Sequence, residues 1–234
     1  MEKNRGKKKE MKSFIIFAWK ILPSLLEGTI LTIELSIICI SIGIIFGIIL
    51  GIARVYGNKP IYWIVTVYVE ILRGFPCMVL LFIIYYGLGD IGILLNPVLA
   101  AGLALGINTS VYQAEYFRGA ILAVKPGQMV AARSMGLSKW KAIRYVIFPQ
   151  AIRLVLPSSS NEIIYMVKYS SIAFIVGVQD LMARANIEGS FYFKYFEAYL
   201  VAALIYLVII FSLTKILEIL EKKALIPGLQ LRQG

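Results

Sequence analysis

QMVAARSMGLSKWKAIRYVIFP, residues Gln128 to Pro149, is a polar and basic stretch set between long apolar runs. From Tyr116 to Asn161 the chain has no Asp or Glu, yet it carries Arg118, Lys125, Arg133, Lys139, Lys141, Arg144 and Arg153. An acid-free basic interruption of this kind reads as a cytoplasmic loop of a membrane protein. It is also a surface for something soluble to grip.

The composition around it agrees. The 234 residues are 59% hydrophobic, well above an average soluble domain. The apolar residues come in runs of about 20, the length that crosses a bilayer core. The fold class expected is all-α, a polytopic membrane protein with about five transmembrane helices. The formal charge of +11 follows from the positive-inside bias of loops, and no nucleic-acid-binding motif accompanies it. His is absent, which removes the commonest general base and metal ligand. Cys39 and Cys77 each lie in an apolar run and match no metal spacing. No catalytic residue, metal site or cofactor is expected, and no cleavable signal peptide is evident.

Outward from the loop, five spans are expected at about 25–53, 61–88, 97–122, 157–178 and 198–217. Residues 1–24 read as a charged tail followed by an interfacial segment, Phe14 to Leu22, ended by Pro23. Residues 25–223 form one transmembrane domain with its cytoplasmic loop at about 124–153, and 224–234 form a C-terminal tail. Gly43, Gly47 and Gly51 fall on one face of the first span. They mark either a close helix contact or simple tolerance of glycine in membrane helices. Pro76 predicts a kink in the second span.

Loop charges set the topology. The loop near Arg54 and Lys59 and the tail with Lys222 and Lys223 fall on the same side as the basic loop, the cytoplasmic one. The N-terminus then lies outside, although it carries Lys3, Arg5, Lys7, Lys8, Lys9 and Lys12. Four other segments agree with that placement.

Ionisable residues inside a span are costly and mark function by default. Counting from Pro60 and Pro157 at 1.5 Å per residue puts Glu70 and Lys168 both about 15 Å deep, near the midplane. Tyr169 and Ser170 stand beside Lys168. The group reads either as a buried Glu–Lys pair that fixes packing, or as a polar cavity for a zwitterionic solute.

The residues AARSMG, Ala131 to Gly136, and VIFP, Val146 to Pro149, resemble the cytoplasmic loop of ABC importer permeases, E-A-A, three residues, G, nine residues, I, one residue, L-P. The resemblance extends from about Glu27 to Lys223 through GTILTIELS, YVEILRGFP, YQAEYFRGAILAVKPGQ, FPQAIRLVLP and KYSSIAFIVGV. These look like the polar amino acid branch of the family. The resemblance implies a type I permease fold and a subunit that is not itself an enzyme. Its implied location is a bacterial cell membrane. Implied partners are a pair of ATP-binding subunits, a second permease subunit, an extracytoplasmic amino-acid-binding protein and membrane lipid. Ala131, Ala132, Ser134, Gly136, Leu137 and Ser138 would couple to the ATPase. Glu70, Lys168, Tyr169 and Ser170 would face the solute. The chain has no G-x-x-x-x-G-K-[ST] phosphate loop, so ATP hydrolysis would belong to another chain. Two departures stand out: Val130 replaces the loop's first Glu, and Tyr169 stands where many relatives have Asp. Both losses point to a sister permease subunit that keeps the carboxylates. The alternative function is a secondary transporter or channel for a small polar solute.

Overall fold

The computed structural model describes residues 2–224, with side chains from Glu10; the expected C-terminal tail beyond 224 lies outside the described residues. Ten α-helices follow one another, and no strand occurs among the described residues. Helix α1, Glu2–Tyr56, is 55 residues long and runs straight through Pro23. The expected end of a separate interfacial segment at Pro23 is therefore not found. A proline inside a membrane helix is tolerated where neighbouring helices re-satisfy its backbone. Here Phe17, Ile21 and Leu25, on both sides of Pro23, pack together against Leu181, Ala198 and Val201.

The second span is broken. Helix α2, Lys59–Gly74, and the segment Cys77–Asp90 meet at 104°. Phe75 is extended, as a residue before proline must be, and Pro76 restarts the chain as the cap of α3, Cys77–Phe82. A π-turn at Ile83–Gly87 leads into the short α4, Leu88–Asp90. Helix α5, Pro97–Ala123, is capped by the Asn96 side chain. The polar loop holds α6, Pro126–Ser134, and α7, Lys139–Ala142. Helix α8, Phe148–Tyr169, contains Pro157, and a 3-10 turn, Ser170–Val176, follows it. Helices α9, Leu181–Tyr192, and α10, Tyr195–Ala224, complete the described residues.

Glu10–Tyr56 and Tyr195–Ala224 are each long and apolar enough to cross a membrane. Lys59–Gly74 with Cys77–Asp90, and Lys139–Val176 with Leu181–Tyr192, make two more as bent pairs. Helix α5 is the fifth long segment, 27 residues or about 40 Å. It owes its place to protein rather than lipid. Asn108, Thr109, Ser110 and Gln113 in its middle are all buried among neighbouring helices. The outer rows of α1 and α10, such as Ile30, Ile33, Ile37, Leu204, Val208 and Phe211, are exposed, as lipid-facing positions should be.

The glycine face is a packing face. A Cβ on Gly43, Gly47 or Gly51 would collide with Thr109, Gln113 or Phe117 of α5, one contact per helical turn. At Gly47 the backbone of Gln113 and Ala114 lies 3.1 and 3.2 Å from that Cβ. Flexible side chains can move aside, whereas backbone cannot. We expect Gly47→Val to push α1 off α5 and cost about 1–3 kcal/mol, seen as a lower thermal midpoint of the purified protein. An unchanged midpoint would show that the two helices separate freely.

Candidate functional site: a central cavity and a basic loop

A cavity of about 370 Å³ opens at the break between α2 and α3 and is lined by residues of α5 and α8. Its polar groups are Asn108, Tyr112, Tyr116, Glu162, Tyr165 and Tyr169; Phe75, Pro76 and Cys77 form the wall at the break. Glu162 is 6% exposed. Its hydrogen bond in the structure comes from the Tyr116 hydroxyl at 3.5 Å. One long hydrogen bond leaves most of a carboxylate's acceptor capacity free. A buried carboxylate ringed by tyrosines can accept an ammonium group, and phenolic hydroxyls can donate to a carboxylate.

Of the four residues expected to face the solute, Tyr169 lines this cavity. Lys168 does not. Its ammonium lies 4.3 Å from the centre of the Tyr165 ring, and with Ser171 it borders a separate, apolar cavity of about 550 Å³ against α10. Ser170 is fully buried and its hydroxyl donates to the Val167 carbonyl at 2.8 Å. Glu70 is elsewhere again. Its carboxylate pairs with Arg54 at 3.4 Å and Arg73 at 3.7 Å. The expected common depth of Glu70 and Lys168 counts from Pro157 as the first residue of α8, and that starting point is not found. Pro157 lies inside that helix, which begins at Phe148.

Glu162 escaped the sequence reading. The signal was there: it is the sole acidic residue between Tyr116 and Val178. The cost argument applied to Glu70 applies to it with more force.

Glu70 instead belongs to a charge cluster that ties α1, α2 and α5 together. Arg54 is buried between Glu70 and Glu115, and Arg118 also binds Glu115. The Arg73 guanidinium lies 5.7 Å from the Tyr112 ring, which joins the cluster to the cavity. Removing Arg54 would leave Glu115 beside Arg118 alone and strip Glu70 of its cross-helix partner. The carboxylates left behind are partly exposed and keep Arg73 and Arg118, so the loss is that of hydrogen bonds to a charged group, about 1.5–3 kcal/mol. Arg54→Ala should therefore lower the thermal midpoint by more than Lys215→Ala, whose side chain makes an exposed pair with Glu218. Equal effects would make the cluster a surface ornament.

The basic loop has a defined shape. At the end of α6 the Gly136 N–H donates to the Arg133 carbonyl at 3.0 Å, and the Leu137 N–H to the Ala132 carbonyl at 3.2 Å. Gly136 has φ +83°. This is the Schellman stop, with glycine at the left-handed position. Ser138 then caps α7, accepting from the Lys141 N–H. Lys139 anchors the loop to the end of α1 by donating to the Tyr56 carbonyl at 3.1 Å. Ala132 is fully buried in the turn, while Ala131, Ser134, Gly136 and Ser138 are exposed and Leu137 is half-buried. Around them Val130, Met135 and Trp140 are 64%, 74% and 64% exposed. An apolar, basic and acid-free tip lies at the end of the molecule marked by Tyr56.

The family model described as binding-protein-dependent transport system inner membrane component matches residues 43–226. The chain is 36% identical over 201 residues to the "Probable amino-acid ABC transporter permease protein YckA" of Bacillus subtilis (strain 168), covering 86% of this chain and 89% of that one. It is 34% identical over 203 residues to the arginine transport system permease protein ArtQ of the same organism, covering 86% and 93%. A solved structure of an amino acid ABC transporter with histidines superposes with a TM-score of 0.81 at 39% identity, over 87% of this chain and 95% of that one.

Proposed function

The chain belongs to the binding-protein-dependent transport system inner membrane components, within their amino-acid ABC permeases, and from that premise we propose that it is the transmembrane subunit of an ATP-driven importer of a polar amino acid. The loop supports this reading most directly. Its exposed apolar tip is held by a rigid turn at Gly136 and tied to α1 by Lys139. A docking element needs both features: a surface to bury, and stiff attachment to the helices that must move. Ala131, Ala132, Ser134, Gly136, Leu137 and Ser138 are the coupling residues. The motor is a separate pair of ATP-binding subunits.

The cavity is the solute path. Glu162 receives the amino group, and Tyr116, Tyr165 and Tyr169 give hydroxyls and ring faces for the rest of the molecule. Lys168 lies over the Tyr165 ring and positions it, and Ser170 ties the end of α8 through its bond to the Val167 carbonyl. Glu70 acts through the Arg54 cluster. Closure of the ATPases on ATP moves the docked loops, and the cavity passes from inward to outward access. A solute-binding protein delivers the amino acid from outside, with the N-terminus on that side and the loop in the cytoplasm. The missing loop Glu at Val130 favours pairing with a different permease subunit.

The test is reconstitution with the ATPase and binding protein in proteoliposomes. Uptake of a labelled amino acid should require ATP on the ATPase side. Uptake that persists without the ATPase would make the chain a secondary transporter or channel. A stable homodimer that transports would end the mixed-dimer reading.

A further inference from the structure

The positive-inside rule leaves the basic N-terminal region without a reason. The structure gives it a neighbour. Helix α1 near Lys12 and Lys20 packs beside the turn that joins α9 to α10. Between them lies a concavity of about 470 Å³ bordered by Lys12, Lys20, Lys194, Phe17 and Tyr192. Phe17 and Tyr192 meet edge to face, with ring centres 5.7 Å apart. The Lys20 ammonium lies 4.6 Å from the Tyr192 ring centre and the Lys194 ammonium 5.1 Å from that of Phe17. The aromatic pair thus holds two cations at the concavity. Among the described residues no carboxylate pairs with any of the three lysines.

The turn carries a second and independent signal. The Lys194 N–H donates to the Gly189 carbonyl and the Phe193 N–H to the Ser190 carbonyl. That is again a Schellman stop, but the left-handed position is held by Phe193, at φ 54°, where glycine is the rule. The Phe193 ring is 90% exposed; Phe191 and Phe196, nearby in sequence, are 73% and 76% exposed, and Trp19, next to Lys20 in the sequence, is 71% exposed. A strained and water-exposed phenylalanine has no use in solution. In a membrane interface, aromatic rings at the end of a span anchor it at the headgroup level. This turn lies where the apolar run of α10 begins.

We propose that this concavity is a binding site for the phosphate headgroup of an anionic phospholipid. Lys12, Lys20 and Lys194 supply its charge, and Phe193 and Trp19 hold the adjoining apolar interface. The inference rests on the membrane location and not on the transport reading. It holds on whichever side the N-terminus lies.

The full chain should be reconstituted in vesicles of equal parts phosphatidylglycerol and phosphatidylcholine. It is then extracted in mild detergent and its co-purifying lipid measured by mass spectrometry. Wild type should retain phosphatidylglycerol in excess. Each lysine near an anionic headgroup is worth about fivefold in binding, so K12Q/K20Q/K194Q should return the ratio to that of the vesicle. Lys215→Gln, at the far end of α10, should not change it. Phe193→Gly eases the turn, so a lower phosphatidylglycerol ratio in that variant cannot come from misfolding. Wild type with no preference, or a triple variant with the wild-type ratio, overturns the site. So does a triple variant that keeps the lipid ratio but loses stimulation by the solute-binding protein, because the face would then serve an acidic protein.

Discussion

Gly136→Val should abolish most substrate-stimulated ATP hydrolysis in the reconstituted complex while the chain still folds and inserts. The reason is conformational. A Cβ on Gly136 meets nothing within 4 Å, yet the backbone sits at φ +83°. A β-branched residue there is a genuine outlier, and the left-handed conformation costs an L-residue about 1–2 kcal/mol. The cheapest relief is to open the turn and lose the hydrogen bonds from Gly136 to Arg133 and from Leu137 to Ala132. Helices α6 and α7 then change their mutual angle. A docking element displaced by about 1 Å can cost a hundredfold in a coupled step. Gly136→Asn is the control, since asparagine visits this conformation routinely. It should keep most of the activity. If Val works as well as Gly, the loop does not couple. If Asn fails as badly as Val, side-chain bulk against the partner governs, and not the turn.

The second large effect is expected at Glu162. Glu162→Gln keeps the shape and removes the charge. A hydrogen bond to a charged group is worth about 1.5–3 kcal/mol, so the half-saturating solute concentration for uptake should rise about tenfold to a hundredfold. Stability should hold or improve, because a neutral amide is cheaper to bury than a carboxylate. The split between transport and stability is what distinguishes a solute contact from a packing residue. A variant with normal uptake would remove Glu162 from the solute path. Glu70→Gln offers the contrast. Its carboxylate bonds to Arg54 and Arg73, so it should weaken the helix cluster and leave the uptake concentration less changed.

These two residues illustrate how far the chain could be read in one dimension. Gly136 was legible because its motif is local: the glycine keeps its spacing within Ala131 to Pro149, and the turn it makes involves only sequence neighbours. Glu162 was equally visible as a lone acid in an apolar run. The count from Pro157 drew attention to Lys168 instead, on the assumption that a proline starts a helix. Pro23 misled in the same way at the first span. In water a proline inside a helix is expensive. Within a helical bundle the neighbouring helices meet that cost, so α1 and α8 pass through theirs. Pro76 behaved as expected, because Phe75 before it is forced out of the helical region.

What the amino-acid order determined alone was the solvent of each segment. Apolar runs of bilayer length, an acid-free basic loop and a motif with its spacing intact are properties of composition and distance along the chain. They sufficed for an all-α membrane protein with about five spans and for the family it belongs to. What only the tertiary structure decided was which polar groups meet. Glu70 could choose between Lys168 and Arg54, Tyr169 and Lys168 could face the same or opposite ways, and Gly43, Gly47 and Gly51 could be contacts or vacancies. Each choice depends on helix start points, bends and rotations. Those are set by many weak packing contacts summed over distant residues, and no local stretch of sequence carries that sum.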